Sequence, residues 1–252
     1  MHTHAYTLSP NFQKHDAFLQ NIKTHFNASN ESIHRARNEL KVLHVNEIDE
    51  ALVVKSFKIP RGIQKYFYSF LRPSKAKTSY KNACILQESG IETPSPVGYI
   101  EFFEKGILKE SFYVSVEWKY DFTIREPLLN KTFPNREALF KAFAQFVYAL
   151  HEAHITHKDL SPGNILIQKE GLKCCVVDIN RMGFQPLSMK QRAQNFAKLW
   201  ASDEDLTLML GHYATIASLD VATFVKEGLK ASHAHKAKIN FKKRLRGVNV
   251  VD

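Results

Sequence analysis

The chain has no run of 18 apolar residues, so none of its 252 residues form a segment that spans a bilayer as a helix. Its first residues, MHTHAYTLSPNFQKHD, lack the apolar stretch of a secretion signal, and a cytoplasmic protein is expected. Cysteine is scarce: Cys84 stands alone and Cys174 and Cys175 are adjacent. An odd count without framework spacing excludes a disulfide scaffold and a cysteine zinc site, and predicts reduced, buried thiols. Acidic residues are missing altogether between Glu50 and Glu88. There is no internal repeat, low-complexity tract or separable linker domain. With 44% hydrophobic residues and 18 Phe, the chain still carries enough apolar surface for one sizeable core or two small lobes.

Residues 157–166 read HKDLSPGNIL, and Val176-Val177-Asp178 closes an apolar run shortly after. A phosphoryl-transfer site needs a carboxylate to orient and deprotonate the attacking hydroxyl. It also needs an amide and a second carboxylate to hold Mg²⁺ against nucleotide phosphates. Asp159, Asn164 and Asp178 supply these groups at the H-x-D-x4-N…D spacing of protein-kinase-like enzymes. Ile165-Leu166-Ile167 and Cys174-Cys175-Val176-Val177 are β-prone runs around Lys169-Glu170-Gly171 and predict a hairpin that brings Asn164 and Asp178 to the same end. Upstream, Ala51–Phe57 is a β-rich run with Lys55 late in it, the setting of the V-A-I-K lysine that pairs with nucleotide phosphates.

The remaining pattern predicts an α+β chain. Residues 1–30 are polar, with an amphipathic helix carrying Phe18, Leu19, Ile22 and Phe26. Strands follow near 32–57, then a basic segment, then a helix from about Ser74 to Ser89 stopped by Gly90. Two more strands flank Lys105-Gly106, and a helix from Arg136 to Ala153 places Leu139, Phe143, Phe146, Val147 and Leu150 on one core-facing stripe. His151 and His154 read as packing or surface residues, and His157 as a buttress of the catalytic loop. On the protein-kinase-like pattern, an N-lobe over 1–116, a hinge from Glu117 to Asp121 whose backbone groups meet adenine, and a C-lobe over 122–252 ending in a basic helix are expected.

These residues resemble the lipopolysaccharide core kinases, the Kdo/WaaP family. HKDLSPGNIL, VVDINRM at 176–182, SKAKTSY at 74–80, GIETPSPVGYIE at 90–101, YDFTIRE at 120–126 and QRAQNFAKLWAS at 191–202 carry the likeness in the family's order. The resemblance implies a two-lobed protein-kinase-like fold and ATP- and Mg²⁺-dependent phosphorylation of a Kdo or heptose hydroxyl on the lipid A–core. The pattern alone reaches only a kinase-like phosphotransferase.

Two departures from the kinase pattern stand out. The turn between the first two strands, Arg35-Ala36-Arg37-Asn38, lacks the usual glycines. Arg37 and Asn38 either contact nucleotide phosphates or only shape the turn. The helix position that normally carries a Glu for the strand lysine falls, by resemblance, at Lys81. Glu88 lies on the same face about 10 Å further along, so Lys55 must reach another carboxylate unless the helix slides. A nucleotide-binding pseudokinase therefore stands as an alternative.

Charge is the second signal: 35 Lys plus Arg against 25 Asp plus Glu give +10. Eight basic residues lie between Lys55 and Lys81 among Tyr66, Phe67, Tyr68 and Phe70, and eight more between Lys226 and Arg246. Such runs suit an anionic surface, and a glycolipid acceptor at the inner face of the inner membrane is favoured over nucleic acid. Ser161 stands two residues after Asp159, where protein kinases carry Lys, and no APE-like anchor follows DINRMGFQPLSM, so a small or carbohydrate acceptor is expected. A small atypical protein kinase linked to RNA modification or ribosome assembly is the other enzyme reading. A monomer is expected.

Overall fold

The computed structural model describes residues 2–35, 38–45, 48–57, 62 and 67–248. The chain divides into two compact units, one of residues 1–119 with 178–180, the other of residues 120–177 with 181–252.

The first unit is built on a six-stranded antiparallel sheet. Its elements are β1 (His2–Leu8), α1 (Asp16–Gln20), α2 (Ile22–Ala28), β2 (Ser32–Arg35), β3 (Glu39–Val45), β4 (Ile48–Phe57), α3 (Lys75–Glu88), β5 (Pro96–Glu104) and β6 (Ile107–Val116), with strand order β1-β5-β6-β4-β3-β2. Lys105 and Gly106 both have positive φ, the primed turn that suits a two-residue hairpin between β5 and β6. Along β4, Leu52 and Val54 are fully buried and join Phe18, Leu19, Ile22, Phe26, Ile100, Phe112 and Val114 in one core. Strand alternation therefore sends Val53 and Lys55 to the opposite face. Lys55 is in register with Tyr113, and Tyr113 with Tyr99. Tyr80 of α3 packs on Tyr99 at 5.5 Å between ring centres, so α3 covers the Lys55 face.

The expected amphipathic helix is two short ones meeting at Asn21, with Phe18, Leu19, Ile22 and Phe26 all buried. The preceding strand β1 was not anticipated. It lies along β5 because Gly98 lets the backbones approach: a Cβ there would stand 2.5 Å from the Thr7 carbonyl oxygen. Helix α3 runs as the pattern predicts, with Ser74 Oγ accepting from the Lys77 N–H at 3.1 Å.

The second unit is mostly helical. It contains β7 (Phe122–Thr123), α4 (Arg125–Leu129), α5 (Arg136–Glu152), β8 (Ile155–His157), β9 (Ile165–Gln168), β10 (Lys173–Val176), β11 (Met182–Phe184), α6 (Met189–Asn195), α7 (Asp203–Ile216) and α8 (Val221–Arg244). The hairpin β9–β10 turns at Gly171, whose φ of 72° suits glycine. Leu139, Phe143, Val147 and Leu150 are buried as the stripe predicts, against a core with Phe196, Leu206, Met209, Leu210, Tyr213 and Phe224. Helices α7 and α8 meet closely at Gly228, where any Cβ would run into Leu210. Cys174 and Cys175 are buried and unbridged, and burial pushes the Cys174 thiol up to about 12. No helix among the described residues is long and apolar enough to cross a membrane.

Candidate active site

In the first unit, Lys55 Nζ forms an ion pair with Asp178 Oδ1, and Asn180 Nδ2 donates to the same oxygen at 3.0 Å. This pairing accounts for the missing helix glutamate. Lys81 points to solvent and Glu88 is exposed at the end of α3. The helix instead contributes Asn82, buried, whose Nδ2 donates to the Ile179 carbonyl at 2.6 Å. Asp178 itself has φ 55°, a left-handed conformation uncommon outside glycine, asparagine and aspartate.

Asn38 is half-buried in the bend before β3, and Arg37 lies outside the described residues. At the end of β6, the Glu117 N–H donates to the Ala51 carbonyl at 2.7 Å, continuing the β4–β6 ladder. Strand pairing thus takes this N–H, whereas the expectation for the hinge concerns the backbone groups of residues 117–121 at large.

In the second unit, β8 pairs with β11, and the Lys158 N–H donates to the Arg181 carbonyl at 2.8 Å, so the loop of residues 158–164 springs from a two-stranded base. Inside the loop, Ser161 N–H bonds the Asp159 carbonyl at 2.7 Å and Asn164 N–H the Ser161 carbonyl at 3.0 Å. Asn164 Nδ2 donates to the Asp159 carbonyl at 2.9 Å, which leaves the amide oxygen to act as a ligand. At the hairpin end, the Val177 N–H bonds the Asn164 carbonyl at 3.0 Å, and Asp178 is the next residue in the chain.

His157 is fully buried and buttresses this loop. Its Nδ1 accepts from the Asp159 N–H at 3.1 Å, so Nε2 carries the proton and donates to the Val177 carbonyl at 3.0 Å. A second layer lies behind it. Asn195 Nδ2 donates to the His157 carbonyl at 2.9 Å, and Asn195 Oδ1 therefore accepts from His151 Nε2 at 3.0 Å. His151 Nδ1 in turn accepts from the Tyr213 hydroxyl at 2.9 Å. Burial pulls His151 down to about 4, against the opposing pull of its bond to Asn195, so it stays neutral. The sequence reads His151 as a packing or surface residue; it is fully buried and, through Asn195, also ties α5 to the loop.

The carboxylate of Asp159 is about one-third exposed. Lys198 Nζ lies 3.2 Å from its Oδ1 and Arg181 Nη1 3.6 Å from its Oδ2. Neither cation was among the expected site residues. The serine at position 161 was the available signal, since it leaves the usual loop lysine unaccounted for.

A kinase-like fold is confirmed by comparison with solved structures. WaaP in complex with acyl carrier protein superposes with a TM-score of 0.64 at 15% identity, over 93% of this chain and 97% of that one. The Cydia pomonella granulovirus kinase PK-1 (TM-score 0.44, 12% identity, 67% of this chain and 57% of that one) and the Mycobacterium tuberculosis PknI kinase domain (0.42, 10%, 80% and 94%) are more distant. A comparison with curated proteins finds no match. Residues 64–218 match the lipopolysaccharide kinase (Kdo/WaaP) family. The chain belongs to that family and is a kinase of the lipopolysaccharide core.

Proposed function

We propose that this kinase transfers the γ-phosphoryl group of ATP to a Kdo or heptose hydroxyl of the lipid A–core. Asp159 is the general base: the acceptor oxygen bonds to the γ-phosphorus, the bond to the β–γ bridging oxygen breaks, ADP departs and the hydroxyl proton passes to Asp159. Lys55 is the phosphate-pairing lysine, and Arg37 and Asn38 are candidate phosphate contacts. Asn164 and Asp178 offer an amide oxygen and a carboxylate, hard donors of the kind Mg²⁺ prefers, and are the residues that would hold it. Bound there, Mg²⁺ neutralises charge on the nucleotide phosphates. Residues 117–121 are read as the hinge between an N-lobe (1–116) and a C-lobe (122–252), with adenine served by hinge groups other than the Glu117 N–H.

The observation that supports this reading most is the bracing of Asp159. Its N–H, its carbonyl and both carboxylate oxygens have partners, yet part of the carboxylate is open to an acceptor. The test is transfer of labelled phosphate from Mg²⁺–ATP to purified lipid A–core truncated at Kdo or extended with heptose, with mass spectrometry locating the phosphate. Product on one glycoform, lost in D159A, is expected. Labelling of protein instead of glycolipid would favour the atypical protein kinase, and nucleotide binding without product the pseudokinase.

The acceptor sits in a membrane, and the reading extends to peripheral contact with the anionic inner face. Phe241 and Leu245, one turn apart, are 62% and 72% exposed at the end of α8, among Lys242, Lys243, Arg244 and Arg246. Lys243 Nζ stands 5.4 Å over the exposed ring of Trp200. Leu71 and Arg72 of the other basic segment are exposed too, whereas Lys58, Arg61 and Lys65 lie outside the described residues.

A further inference from the structure

Loop sequence DLSPGN leaves position 161 without the lysine that protein kinases place two residues after the catalytic aspartate. A lysine from elsewhere in the same unit reaches Asp159. Lys198 lies in the single 3-10 turn Phe196–Leu199 that follows α6. The turn is fixed from both sides. At its start, α6 opens with a capping box between Ser188 and Gln191, and its last residue, Asn195, bonds the His157 carbonyl. Phe196 and Leu199 are buried in the core, and Trp200 ends the turn at φ 57°. The backbone is thus held before and after Lys198, and the side chain is directed at the loop.

Its ammonium group makes two bonds there. It donates to the Lys158 carbonyl at 2.6 Å and to Asp159 Oδ1 at 3.2 Å. The first anchors the donor to the main chain immediately before the aspartate; the second fixes one carboxylate oxygen relative to that main chain. Arg181 faces the other oxygen at 3.6 Å, beyond hydrogen-bond range. One oxygen is therefore held and the other is less constrained. We infer that Lys198 is the positioning residue of the catalytic base, taking over from outside the loop the hold on Asp159 that Ser161 cannot provide. An ion pair about one-third exposed contributes little to stability, so the effect of losing it falls on turnover: misplacing a reacting group by about 1 Å can cost as much as 10²-fold.

This inference rests on Asp159 being the base, and a double-mutant cycle separates the two claims. K198M, D159A and the double variant are assayed for phosphate transfer from Mg²⁺–ATP to purified lipid A–core, with K198Q as a second substitution and thermal unfolding as a check on folding. K198M is expected to lower kcat about 10- to 100-fold while KM for ATP and the unfolding midpoint stay near wild type. In the D159A background the same substitution is expected to cost nothing more, because groups that act as a unit are not additive. Wild-type kcat in K198M and K198Q, with D159A inactive, overturns the role of Lys198 and leaves the base assignment standing. An equal loss in both backgrounds also overturns it, since Lys198 would then act independently of Asp159. Wild-type kcat in D159A removes the base assignment itself.

Discussion

Asn82 donates from its buried amide to the carbonyl oxygen of Ile179 at 2.6 Å, and Ile179 directly follows Asp178, the partner of Lys55. Helix α3 thereby grips the Asp178 segment through a neutral amide, where the kinase pattern expects a carboxylate gripping the lysine.

Replacing Asn82 with Leu keeps the branched shape and the number of heavy atoms and strips the Ile179 carbonyl of its donor. A buried acceptor left unsatisfied costs about 1–3 kcal/mol. Urea unfolding should show the midpoint falling with the slope unchanged. An unaltered midpoint would mean that water replaces the amide and that the grip carries no energy.

Asp178→Asn separates charge from backbone. Asparagine tolerates the left-handed conformation that Asp178 adopts at φ 55°, so the chain path should survive. The neutral amide no longer balances Mg²⁺ and also weakens the pair with Lys55. Calorimetric titration should show weaker binding of Mg²⁺–ATP, with little change for ATP in EDTA. Equal Mg²⁺–ATP affinity in the two proteins would remove Asp178 from the metal site.

What could be read from the sequence was local in origin. The β9–β10 hairpin follows from two β-prone runs and a Gly171 turn, and α3 from the Ser74 cap and Gly90 stop. The polar-looking β1 was hidden because its place depends on Gly98, some ninety residues away, permitting close approach. Lys198 was hidden for a similar reason: 39 residues separate it from Asp159, and only the packed turn between α6 and α7 directs it there. The search for a helix-borne acid failed because the fold answers it from two places, Asp178 for charge and Asn82 for position.

The proposed membrane contact rests on charge and exposed apolar side chains, and both can be changed without touching the loop. Each basic residue near an anionic leaflet adds about 1 kcal/mol of attraction, which salt screens. The intact protein should float with vesicles containing anionic lipid at low salt and leave them at high salt. Reversing Lys242, Lys243 and Arg246 to Glu should abolish flotation, and Phe241→Ser should weaken it, while ATP affinity holds. No flotation at low salt would rule the contact out; flotation that survives high salt would assign it to Phe241, Leu245 and Trp200 rather than to charge.

His151 makes stability depend on pH in a definite direction. The folded protein holds it neutral down to about 4, because the ring is buried between Tyr213 and Asn195. An unfolded chain protonates it near 6.5. Between these values the unfolded state carries a proton that the folded state does not, so stability falls as pH drops from about 6.5 towards 4. At roughly 1.4 kcal/mol per pH unit, the full loss is on the order of 3 kcal/mol. Arg192 and Glu152, a salt-bridged pair beside the Tyr213 hydroxyl, face the same pocket with opposite charges and act on the ring in opposite senses. Carboxylates elsewhere titrate in the same range, so the informative quantity is a difference. His151→Gln lacks a titrating ring and should be less stable than wild type at pH 7, with the gap narrowing as pH falls to 4.5. Urea unfolding at both pH values measures it. A gap that stays constant would mean that His151 is protonated in the fold as readily as out of it, and that the neutral tautomer does not hold the loop.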